Sequence, residues 1–88
     1  MEIDIPSGFT EAVQVVRTLS FQHGPKRYRV EVVRALDSEK PTFRADYYES
    51  RDGTWREMTG VPYADTDTED MTAHQALHWL AKHLKTRG

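Results

Sequence analysis

Eighty-eight residues, 38% of them hydrophobic and 30% charged, suit one small globular domain with a single core rather than a disordered or fibrous chain. A domain of this size buries only about 60 to 65% of its unfolded surface, so a partner, a second copy or a metal would add to a modest stability. A net charge of -2 lies far from the basic balance of a phosphate binder. The lack of cysteine removes disulfides, thiolate metal sites and cysteine nucleophiles together, and fits a reducing cytoplasm.

In chain order, "MEIDIPSGF" carries acids where a secretory signal carries Lys or Arg, and no run approaches the roughly 20 apolar residues that span a bilayer. A soluble cytoplasmic protein with no membrane contact is therefore expected. The next segment, "AVQVVRTLSFQ" (12–22), fits two periods. Phe9, Ala12, Val13, Val16 and Leu19 share a helical face, whereas Val13, Val15, Leu19 and Phe21 alternate as in a strand. Its valines, Thr18 and Phe21 favour a pleated surface, and "HGPK" can close a hairpin onto residue 27, so a strand is the reading adopted. The alternative, a helix over residues 9–20, would give α-β-β-β-α.

In "KRYRVEVVRAL" (26–36), Tyr28, Val30, Val32 and Leu36 fall on one side and Arg27, Arg29 and Glu31 on the other, a strand pattern. After "DSEKP", "TFRADYYES" alternates Phe43, Ala45 and Tyr47 against Arg44, Asp46 and Tyr48. A turn at "SRDGTW" then decides where Trp55 points, because two closures differ by one residue of register. A two-residue Asp52-Gly53 turn pairs Ser50 with Trp55 and puts the indole outside with Tyr48. A three-residue Arg51-Asp52-Gly53 loop pairs Glu49 with Trp55 and sends it inward with Tyr47 and Phe43. The second is expected, since a small domain gains from burying a large aromatic. It leaves Glu57 opposite Tyr47 on the core side, where the strand would have to end or bulge.

Beyond the irregular "TGVPYADT" (59–66), the terminal segment reads as a helix. Thr66 and Glu69 stand at capping-box spacing, acids open it, and Lys82 and Lys85 close it. Ala73, Ala76, Leu77, Leu80, Ala81 and Leu84 share a stripe that should lie on the sheet. The predicted fold is α+β: an antiparallel meander of three or four strands with one C-terminal helix on one face, residues 1–88 forming one domain.

Motifs for chemistry are sparse. Asp70, His74 and His78 are spaced i, i+4, i+8, and a His-x-x-x-His pair has the geometry to bind zinc, but further ligands and the glutamate of H-E-x-x-H are missing. No metal is expected there. The acids Asp65, Asp67, Glu69 and Asp70 resemble the start of a calcium loop until position six, Asp70, and position twelve, Ala76, break the pattern. There is no G-x-S-x-G elbow and no P-loop, so neither an enzyme nor a cofactor is expected.

Two groupings suggest binding. On the outer sheet face Arg27, Arg29, Arg44 and Tyr48, with Lys26 nearby and Arg56 if the register allows, have the ingredients of a nucleic-acid stacking surface, interrupted by Glu31 and Asp46. On the helix shoulder Trp79 and His83 combine an apolar body with a wet edge. Arg29, Arg44, Tyr48, Trp79 and His83 are the candidate binding residues. The expected function is a small non-catalytic module that contacts another protein or pairs as a homodimer, also through the backbone of whichever strand forms the edge. A nucleic-acid module is the alternative, and a metal-dependent site on the helix a second.

Strands followed by "TEDMTAHQALHWLAKHL", which echoes a T-x-E-E-A-L pattern, loosely resemble small bacterial HicB-like antitoxins over the last two-thirds of the chain. "GVPYADT" stands where those sheets carry a proline-rich strand ending PxxPG, and no residue role transfers. The α-β-β-β-α alternative is similar to the double-stranded-RNA-binding fold, with Asp67, Glu69 and Asp70 in place of its lysine-rich helix start.

Overall fold

The computed structural model describes Gly8 and residues 12–36, 42–62 and 64–86. Four strands run in sequence order as an antiparallel meander: β1 (Val13–His23), β2 (Lys26–Ala35), β3 (Phe43–Arg51) and β4 (Thr54–Glu57). A two-residue β5 (Asp65–Thr66) returns to pair with β3, and α1 (Glu69–Thr86) packs on β2 and β3. The fold is thus the expected meander under one helix. Residues 13–20 are strand, so the helical alternative over 9–20 does not form, and residues 9–11 lie outside the described part.

Period-two patterning puts Tyr28, Val30 and Val32 of β2 and Ala45 and Tyr47 of β3 beneath the helix, where all are buried. From above come Ala76, Leu80 and Leu84, with Met58 and Ala64 closing one side. The helical stripe is narrower than its sequence suggests. Leu77 is 39% exposed and Ala81 is also exposed, while Thr72 is fully buried. The buried hydroxyl of Thr72 lies within hydrogen-bonding reach of Thr66 Oγ1 (2.7 Å), the Thr68 carbonyl (2.9 Å) and the Phe43 carbonyl (3.4 Å). The helix cap also shifts. Thr68, not Thr66, accepts the Met71 amide at 3.2 Å, and Thr66 serves the turn before it by donating to the Thr68 carbonyl at 2.8 Å.

In β1 the register slips between Val15 and Arg17, a β-bulge. Val15 stands opposite Val33, which faces away from the helix, whereas Arg17 stands opposite Val32, which faces it. The odd-numbered residues therefore change sides along the strand. Val13 and Val15 lie on the outer face, and Leu19 and Phe21 on the helix face, contrary to the single face that simple alternation assigns them. Arg17 lands on the helix side, with its guanidinium 2.5 Å from Glu69 and 2.6 Å from Asp70. Among the described residues no helix is long and apolar enough to cross a membrane.

Candidate binding face

The turn between β3 and β4 is the two-residue closure: Arg51 pairs with Thr54, Ser50 with Trp55, Glu49 with Arg56 and Tyr48 with Glu57. The expected three-residue loop is overturned, and with it the inward Trp55. Asp52 and Gly53 both sit at positive φ, 51° and 78°, as a type I′ turn requires, and its twist matches that of the flanking strands. Beyond the turn the Met58 amide donates to the Tyr47 carbonyl at 2.8 Å. This register buries Met58 and leaves Glu57 in solvent, where the rejected one brings Glu57 to the core. Arg56 correspondingly falls opposite Glu49 on the helix side and leaves the outer face.

Trp55, 37% exposed, now lies beside Tyr48, and β2 supplies Arg29 opposite Tyr48. The Arg29 guanidinium carbon is 4.9 Å from the centre of the Tyr48 ring and 4.7 Å from that of Trp55. One cation thus rests against two aromatic faces, each contact worth roughly 0.5–1 kcal/mol at a surface. Arg29 Nε is also 3.4 Å from Glu31, and Arg44 Nε is 3.8 Å from Asp46. Burial raises the Tyr48 phenol pKa, helped by the negative charges of Asp46, Glu31 and Glu57 and opposed by Arg29. The patch is aromatic and cationic at its centre and electrically balanced around it.

Of the five candidate binding residues, this face gathers Arg29, Arg44 and Tyr48, and Trp55 joins them although sequence reasoning placed it in the core. The pair Asp52-Gly53 was the available signal. Trp79 and His83 lie on the helix side instead, where with Gly60, Pro62 and Lys82 they line an open hollow of about 260 Å³. Lys82 Nζ stands 5.5 Å from the Trp79 ring centre. The hollow is smaller than the roughly 300 Å³ at which small-molecule pockets begin. Among the described residues no three His, Asp or Glu side chains cluster as metal ligands. Of the helix trio, His74 and His78 are exposed and Asp70 is taken by Arg17. No family model matches the chain, and neither a curated protein nor a solved structure matches it significantly.

Proposed function

We propose that the chain is a small binding module that docks another protein on its outer sheet face, around Tyr48, Arg29 and Trp55. The observation that carries this reading is the Arg29 guanidinium held against both rings. Trp, Tyr and Arg dominate the energetics of protein interfaces, and here the three are packed together in the chain alone. A purified partner, first identified by crosslinking from positions flanking Trp55, should bind Trp55→Ala and Arg29→Ala at least tenfold more weakly than the unmodified chain. His74→Ala, on the far side of the molecule, should bind as the unmodified chain does. Equal affinity for all three would refute the assignment of this face.

A second reading, nucleic-acid binding by the same face, is favoured by the outward Trp55. The charge pattern favours it less, since Arg29 and Arg44 each have a neighbouring acid and the rings already stack on a guanidinium that a base would have to displace. Titration with single-stranded and duplex oligonucleotides at 50 and 200 mM salt separates the two. Affinity that collapses with salt indicates phosphate contacts, and no binding at either salt leaves the protein partner.

A further inference from the structure

We infer that β1 is a self-pairing edge, through which two copies of this chain join their sheets across a two-fold axis. The two borders of the sheet are unequal. The β3 border is lined by the four residues of β4 and the two of β5, whereas the opposite border is the eleven-residue β1, whose far side no described strand pairs. The β1–β2 hairpin closes on His23 and Lys26 around Gly24-Pro25. In an antiparallel ladder closed this way, Phe21 and Leu19 bond to β2, and the backbone groups of Thr18, Ser20 and Gln22 point outward. Edges of this kind are normally blunted by lysine, proline or a bulge. Residues 17–23, "RTLSFQH", contain no Lys, Pro or Gly, and the bulge lies just before them. The strand's one Arg is drawn inward to Glu69 and Asp70 rather than guarding the edge.

The side chains point to a second copy as occupant. With Ser20 opposite its own symmetry mate, Leu19 faces the second copy's Phe21 on the helix side, and Thr18 faces its Gln22 on the outer side. At the centre apolar meets apolar below and polar meets polar above, Arg17, held by Glu69 and Asp70, faces the second copy's His23 at each end, and the strand contains no acid. Leu19 and Phe21 are only partly covered in one copy. The helix leaves them so because it packs on β2 and β3, with Leu77 exposed on the shoulder that Asp70 and Arg17 orient toward β1. The ladder would run from Arg17 to His23, between the bulge and the hairpin turn. The short opposite border offers no equivalent edge, so the assembly closes at two.

The chain has no cysteine, so an introduced one reports alone. Sedimentation of the full chain should show a concentration-dependent dimer of about twice 10.2 kDa. Ser20→Cys should form a disulfide-linked dimer on mild oxidation, because symmetry mates in such a pair stand about 5.5 Å apart at Cα. Ser50→Cys, on the outer face of β3, should not. Ser20→Lys, which sets two ammonium groups side by side on the solvent face, should give a monomer with unchanged circular dichroism. Trp55→Ala, on β4 and three strands from β1, should dimerise normally, which separates this edge from the binding face. A chain that stays monomeric at millimolar concentration, or a dimer that tolerates Ser20→Lys and crosslinks as well through Ser50→Cys, would overturn the inference.

Discussion

Asp52 and Gly53 fix the position of every side chain in β4, and their own demands are purely conformational. A Cβ built on Gly53 meets nothing within 4 Å, so Gly53→Ala would suffer only from φ 78°. The expected cost is about 1 kcal/mol or slightly more, read as a lower urea midpoint with unchanged slope, while Asp52→Asn, equally at home at positive φ, should be neutral. Tyr47 supplies a pH prediction. Burial, with a smaller contribution from the charge of Asp46, pushes its phenol up to about 12 from the usual value near 10. The folded pKa is raised, so this residue's contribution is intact below pH 10 and lost as pH climbs through about 12, an effect on the order of 1–2 kcal/mol once screening by solvent is allowed for. Urea titrations across that window should show Tyr47→Phe losing less stability than the unmodified chain. For Trp55 the sequence holds two opposed signals, the gain from burying a large ring and the turn preference of Asp52-Gly53, and the turn prevails. The ring recovers contact through Arg29, two strands away on β2, which reaches it across β3 only when the two-residue register turns the indole outward. In a Trp79→Phe background its emission should be quenched strongly by iodide, and more strongly still once Arg29 is replaced by Ala.

At the scale of elements, β2 and β3 are legible because apolar and polar residues alternate from Tyr28 to Val32 and from Phe43 to Tyr47, a pattern broken only at Val33, which is buried next to Val32. The β1 segment was ambiguous for a reason now visible. The bulge at Val16 shifts its parity midway, so Val13 and Val15 share a sequence phase with Leu19 and Phe21 but not a side of the sheet. A two-residue strand such as β5 has no period to detect. The helix is legible in its stripe, but its start lies two residues beyond the one the sequence predicts, because Thr66 and Glu69 match the capping box in spacing while Thr68 makes the bond. Thr68→Ala should therefore cost about 1 kcal/mol and lower the melting temperature by roughly 4–8 °C. The breadth of the helix stripe was overestimated because the sequence does not reveal where along the sheet the helix settles. Centred over β2 and β3, it leaves Leu77 outside and seats Thr72 against the Phe43 carbonyl.

For the molecule as a whole, the two sides of the sheet do different work: one packs under the helix and the other carries balanced charge around two rings that share Arg29. The candidate residues were individually readable as surface groups, but their division between two sides was not, since it depends on register and helix placement together. The inserted residue in β1 bears on how the whole chain behaves in a crowded solution. Val15 and Arg17 already stand opposite the adjacent residues Val33 and Val32, so excising Val16 would let the ladder run unbroken from Val13 to His23 without moving any other pair. The shortened chain would present a straighter border, extended by two bare valines, and should seed fibrils that raise thioflavin fluorescence at concentrations where the natural length stays clear. One surplus residue would then serve as a brake on runaway growth.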